Sequence, residues 1–119
     1  MEKVNLADKF SRFSEHWSPR IVAEFDDYEV KLAKVEGEFV WHDHKDVDEL
    51  FLVVDGELTI EMRDGGVTLG PGEMFVVPKG VEHKPSAGAE CKIVLLERKG
   101  TVNTGATESD LTVAEPERI

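Results

Sequence analysis

Three histidines and one glutamate carry the chemistry this sequence offers. The stretch Gly37 to Gly56, GEFVWHDHKDVDELFLVVDG, holds His42 and His44 two residues apart. On a β-strand that spacing sends both imidazoles to one face. Glu49 follows a short acidic loop and opens an apolar run in which Phe51 and Val53 share its parity. A second stretch, Gly72 to His83, GEMFVVPKGVEH, supplies a third histidine, His83. Neutral imidazole and carboxylate donors suit first-row divalent transition metals: Fe, Mn, Ni, Zn, Co or Cu. Three nitrogens and one oxygen on a β scaffold would hold such an ion. In octahedral geometry they would leave two positions open. Each residue also has an ordinary reading by itself: His42 and His44 as solvated strand-edge residues, Glu49 as a surface strand start, His83 as a loop residue.

The elements that must position these groups read as short strands. Tyr28-Glu29-Val30-Lys31-Leu32 alternates apolar and polar, as a strand with one wet face should, and Leu58, Ile60 and Met62 alternate with Glu57, Thr59 and Glu61. Leu50 to Val54 and Ile93 to Leu96 are apolar on both faces. Turn signals separate the runs at Asp26-Asp27, Asp55-Gly56, Asp64-Gly65-Gly66, Gly70-Pro71-Gly72 and Pro78-Lys79-Gly80. With no long helix after any strand, this pattern predicts an all-β sandwich or barrel and excludes a parallel α/β sheet. Ahead of it, Leu6, Phe10, Phe13 and Trp17 fall on one face of an amphipathic helix, with Asn5 as N-cap and Pro19 as stop. The expected organisation is therefore a helical segment over 1–19 packed on a barrel of 20–99. A polar tail over 100–119 follows, in which Leu111 and Val113 form a short strand on a partner subunit or the chain is disordered.

Composition narrows the partners. The 119 residues carry 25 acidic and 14 basic side chains, a net charge of -11, and a field of that sign repels nucleic acid and anionic membrane surfaces. The single cysteine, Cys91, excludes an internal disulfide and a cysteine-only metal site, and its alternation with Ile93 and Leu95 predicts a buried thiol. Without an apolar leader run at its start or a span-length apolar segment, the chain is expected in the cytoplasm. His16, on the helix, is expected to be structural or exposed.

Taken together, the two stretches resemble the paired motifs of a small single-domain cupin. Gly37, His42, His44, Glu49 and Gly56 match the first motif, and Gly72, Pro78, Gly80 and His83 match the second. The resemblance covers roughly residues 20 to 99. It implies a double-stranded β-helix, the jelly-roll barrel, with His42, His44, Glu49 and His83 as ligands of one divalent transition metal per chain. Two positions depart from the pattern. Only four residues separate Gly37 from His42, one fewer than is usual, and Ala87 stands where asparagine is common. Neither is a ligand position.

Parity places Phe51 and Val53 inside the barrel, Val40 on the His42 face, and Met74 or Phe75 near the second motif, lining a mainly apolar pocket for a small molecule. Phe39 and Trp41 are expected to point away from His42. No second acid or base stands out, so no catalytic residue is assigned. Lys79, Lys84 and Arg63 are the cations on offer for a phosphate. The outer apolar face of Leu50, Leu52 and Val54 calls for a cover, either the helix or a second subunit, and a homodimer is expected. Family resemblance implies a metal-dependent enzyme, a dioxygenase or a sugar or sugar-phosphate isomerase of the phosphomannose isomerase-like kind. A non-catalytic, metal-gated module that binds or senses a small ligand is the alternative.

Overall fold

A computed structural model describes residues 2–119. Helix α1 (Leu6–Phe10) precedes strands β1 (Arg20–Phe25), β2 (Tyr28–Glu38), β3 (Glu49–Asp55), β4 (Leu58–Met62), β5 (Gly65–Leu69), β6 (Met74–Val77), β7 (His83–Arg98) and β8 (Glu117–Arg118). The long strand β7 organises the rest. One edge pairs with β2 from Tyr28–Arg98 to Glu38–Ser86. The other is shared: β4 takes the first half (Met62–His83) and β3 the second (Leu50–Leu96). Strand β6 pairs with β3, and β5 with β4. The sheet thus folds over itself without closing, giving the expected all-β jelly roll as a two-layer sandwich.

Alternation fills the space between the layers. Ala33, Val35, Phe51, Val53, Leu58, Ile60, Cys91, Ile93 and Leu95 are buried in one cluster. Burial pushes the Cys91 thiol up to about 11, helped by the charges of Asp55 and Glu57, so it stays a thiol in the core. The face of β2 expected to be wet is not. Glu29 and Lys31 are buried, because Lys31 meets Glu97 across the β2–β7 ladder, while Leu32 is covered by the N-terminal segment.

The helix is shorter than its pattern predicts. Asn5 caps it as expected, its Oδ1 accepting from Asp8 N at 2.9 Å, but it ends at Phe10, where the Ser11 hydroxyl turns back to Asp8 O. One and a half turns cannot stand alone. Phe10 and Phe13 still pack on Leu32, whereas Trp17 leaves that cluster for the main core, at a left-handed φ of 58°. The tail also differs. Its strand is Glu117–Arg118 rather than Leu111 to Val113, and it pairs in parallel with β1 of the same chain. Val113 N is held by Asn103 Oδ1, and Gly105 lies so close to Asp43 O that a Cβ there would clash.

The closing glycine of the first stretch has a steric reason. Gly56 sits at φ 92°, and a Cβ would lie 2.9 Å from both Cys91 Cα and Glu90 O. Gly72, at φ 80°, has nothing within 4 Å. Gly56→Ala is expected to cost about 2–4 kcal/mol, overpacking added to backbone strain, and Gly72→Ala about 1 kcal/mol. Denaturant melts of the two variants compare them directly, and equal losses would overturn the steric account.

Candidate metal centre

The two histidine stretches meet through backbone. His42 N donates to His83 O at 3.1 Å and His83 N to His42 O at 2.9 Å, an isolated bridge rather than a continuing strand. Gly80 N donates to His44 O (2.8 Å) and Lys79 N to Asp48 Oδ1 (2.9 Å), so the Pro78-Lys79-Gly80 turn ties the acidic loop to the second stretch. Glu49 enters from the start of β3.

The result is a buried group of four donors. One atom from each of His42, His44, Glu49 and His83 lies within 4.8 Å of the others. His42 Nδ1 and His83 Nδ1 each sit 2.9 Å from a carbonyl, Val40 O and Val81 O. A carbonyl only accepts, so each Nδ1 carries a proton and each Nε2 is the nitrogen left for a metal ion, once any proton on it has gone. Glu49 Oε1 stands 3.2 Å from His83 Nε2 and 3.5 Å from His44 Nε2. His44 Nε2 is buried without a hydrogen-bond partner. A buried nitrogen without a partner, beside two prepared imidazoles and a carboxylate, fits a transition-metal ion.

Electrostatics follow from burial and mutual contact. Burial, reinforced by His83, lowers the His42 pKa to about 4 and keeps that ring neutral. At His83 burial acts in the same sense, but the hydrogen bond and charge of Glu49 outweigh it and raise the pKa. For Glu49, burial would raise the pKa; the His44 and His83 imidazoles beside its carboxylate overcome it and hold the carboxyl below its usual range.

A second buried carboxylate stands beside this group. Glu97 receives Lys31 Nζ at 2.9 Å on Oε1, and its pKa is pushed well up by burial and then by the Glu49 charge. It is absent from the expected site residues, although the parity of Cys91, Ile93, Leu95 and Glu97 on β7 places it inward.

An apolar cavity abuts the donors. Trp17, Ala33, Val35, Phe39, Phe51 and Leu95 line it, with His42, Glu49, Glu97 and Asn103 as polar members. Its free space is about 30 Å³, within an envelope of about 390 Å³ that includes the mouth. That is room for about one water molecule. Of the expected lining residues, Phe51 is in place. Val53 is buried in the adjoining core, Val40 contributes its carbonyl, and Phe75 packs partly buried on the core. Met74 is 58 % exposed on the outer face. Phe39 faces the site, its ring 5.3 Å from that of His42, because β2 ends at Glu38 and strand parity no longer holds. Trp41 points outward as expected and stacks under the Arg63 guanidinium at 3.8 Å. His16 is part-exposed and meets Glu90 Oε1 at 3.1 Å.

Comparison with known proteins agrees with this geometry. The family model described as Cupin domain matches residues 28–97. A cupin-2 domain containing protein from Shewanella frigidimarina is 59 % identical, with a TM-score of 0.80 over 81 % of this chain and 94 % of that one. Protein NMB1881 from Neisseria meningitidis is 33 % identical, with a TM-score of 0.76 over 82 % of this chain and 100 % of that one. The uncharacterized protein YdbB of Bacillus subtilis is 35 % identical over 79 residues, 66 % of this chain and 70 % of that protein.

Proposed function

The chain belongs to the cupin family, and we propose that within it this protein is a metal-dependent enzyme acting on a small organic molecule, of oxygenase rather than sugar-phosphate isomerase type. One observation carries the reading: His42 and Glu49 belong both to the four-donor group and to the wall of an apolar cavity. A molecule in that cavity lies against the metal position. Bound there, a redox-active metal such as iron would supply the electron chemistry of dioxygen. The chain supplies the rest: three imidazoles and a carboxylate to hold the ion, and Phe39, Phe51 and Trp17 to exclude water and orient an apolar substrate.

A phosphorylated substrate fits poorly. No arginine lines the cavity and no lysine does. Lys84 pairs with Glu38 at 2.7 Å, and Arg63 with Glu82 at 3.2 Å. With Arg63, the one arginine among the cations on offer, engaged and no cation in the cavity wall, the bidentate clamp that phosphate recognition favours is not assembled. The test is anaerobic loading with Fe(II), then oxygen and candidate apolar substrates, followed by an oxygen electrode. Uptake above a His44→Ala control supports the reading. Absent uptake from fully metal-loaded protein favours the non-catalytic binding or sensing module instead, which the tight cavity also suits.

The assembly we infer is a homodimer. Strand register sets Leu50, Val76 and Leu96 in one row and Leu52, Met74 and Val94 in the next. The N-terminal cluster of Phe10, Phe13 and Leu32 reaches only Val94 of these rows, leaving Met74 and Val76 exposed on β6, which pairs only with β3. A contiguous exposed apolar patch beside an open strand edge favours self-association. Sedimentation is expected to give a dimer for the wild type and a monomer for Met74→Lys with Val76→Lys; matching masses would remove the interface. Among the described residues no helix is long and apolar enough to cross a membrane. A buried free thiol suits a reducing compartment, and the cytoplasm remains the proposed location.

A further inference from the structure

Beyond Arg98 the chain leaves the sheet, passes the apolar cavity, where Asn103 forms part of the wall, and returns as β8. Both ends of this strap are fixed. Lys31 Nζ donates to Thr101 O at 3.3 Å and Thr101 Oγ1 to Arg98 O at 2.6 Å. At the far end β8 pairs with β1, and Ile119 N donates to Ile21 O at 3.0 Å. In between, side chains brace the strap into one unit. Asn103 Nδ2 donates to Leu111 O at 2.9 Å, Val113 N donates to Asn103 Oδ1 at 2.8 Å, and the Thr104 and Thr112 hydroxyls lie 2.7 Å apart. Among the described residues, two long hydrogen bonds tie residues 102–116 to the rest of the molecule: Asn103 Nδ2 to Trp17 O at 3.4 Å and Thr107 Oγ1 to Trp41 O at 3.3 Å. None of these residues belongs to either apolar core cluster. A segment with so little buried apolar surface opens locally long before the core does.

The cavity needs such a segment. Its free space takes about one water molecule, so a small organic molecule enters only if a wall moves. Ala33, Val35, Phe51, Ile93 and Leu95 belong to the packed sheet and form the floor. Outside the strands, Trp17, Phe39 and His42 are each held by a backbone N–H, to Lys34 O at 2.9 Å, Pro85 O at 2.9 Å and His83 O at 3.1 Å. Asn103 alone stands on a segment without such a tie. We propose that residues 102–116 are the lid of the cavity, opening as a unit between Thr101 and Glu117 to admit the ligand. Asn103 is the positioning residue that latches the closed lid to Trp17 while bracing Leu111 and Val113. The inference rests on the reading of this cavity as the ligand site and adds how that site is entered.

The test places a thiol under the lid. Ala33→Cys puts one on the cavity floor, and the native Cys91, buried in the core and absent from the cavity wall, reports opening of the core itself. Methyl methanethiosulfonate, a small neutral thiol reagent, is added in native buffer, and mass spectrometry times the labelling of each site. Each rate is compared with that of the same thiol in the parent, so intrinsic reactivities cancel. A neutral hydrogen bond is worth about fivefold in an equilibrium. Asn103→Ala, which removes the latch and two braces, is expected to speed labelling of the introduced thiol at least about fivefold with Cys91 unchanged. Thr107→Val removes the other tie from outside the cavity wall and is expected to give about fivefold at the same thiol. It also serves should Asn103→Ala fail to fold. A merely structural role for Asn103 would speed both thiols together. Equal acceleration at both thiols, or no acceleration at the introduced thiol in a folded variant, would overturn the proposal. So would acceleration by Asn103→Ala alone, which would mean a hole in the wall. Selective acceleration in a protein that takes up no oxygen would strike the enzyme reading and leave the lid. Oxygen uptake without selective acceleration would strike the lid alone.

Discussion

Glu49→Ala and His83→Ala are each expected to lose bound metal almost completely while staying folded. Purified without chelator, the wild type is expected to carry about one transition-metal ion per chain and each variant less than about a tenth of that, by elemental analysis. Removing a group that merely supports a metal ligand already costs about 10–100-fold in affinity, and removing a ligand costs more. The four side chains are buried together, so loss of one leaves three donors in place. Folding is expected to survive because the core cluster of Val35, Phe51, Val53, Leu58, Ile60 and Ile93 is formed without them. Circular dichroism checks that arm. Equal metal in all three proteins would remove the assignment. The identity of the metal follows supply as much as ligand set, and the acidic loop of Asp43, Asp46 and Asp48 beside the site adds a local attraction for any cation.

The metal group was legible in the sequence because its members lie in two short stretches with fixed glycine and proline landmarks. The cavity was not, because its walls come from places that have no local signature. Strand parity points Phe39 outward, but β2 ends one residue earlier. The apolar spacing puts Trp17 on a helix, but the helix stops at Phe10 and Trp17 lines the cavity from a left-handed backbone position. Asn103 comes from a tail read as disordered or swapped to a partner. Lys31 sits in a strand whose alternation is legible, but its charge marks the wet face, and Glu97 follows a run that is apolar on both faces. Their burial depends on the pairing of β2 with β7, a contact between residues 66 positions apart. Periodicity gives a residue's face. It does not say which faces meet.

That buried network has a consequence for stability. The metal-free protein is expected to become less stable as pH rises above 6.5, the reverse of what an excess of carboxylates suggests. Three groups decide the sign. His83 has its pKa raised from 6.5, so between 6.5 and the raised value the folded chain keeps a proton that the unfolded chain has released. Glu97, raised well above 4.5, acts in the same direction over its own range. Stability from both is present at lower pH and lost as pH rises through their folded values. His42, lowered from 6.5 to about 4, acts oppositely, but only between those values, where the unfolded chain holds the extra proton. Below 6.5 it offsets Glu97; above 6.5 it is neutral in both states. Each proton held only by the folded state contributes a slope of up to about 1.4 kcal/mol per pH unit. Urea denaturation of EDTA-treated protein at pH 6.5, 7.5 and 8.5 measures it, with Glu97→Gln expected to flatten the fall. Metal reverses the trend. Its ligands must be deprotonated, so the loaded protein gains stability with rising pH over the same range. Flat or rising stability in the metal-free protein would mean that His83 and Glu97 do not hold their protons in the folded chain.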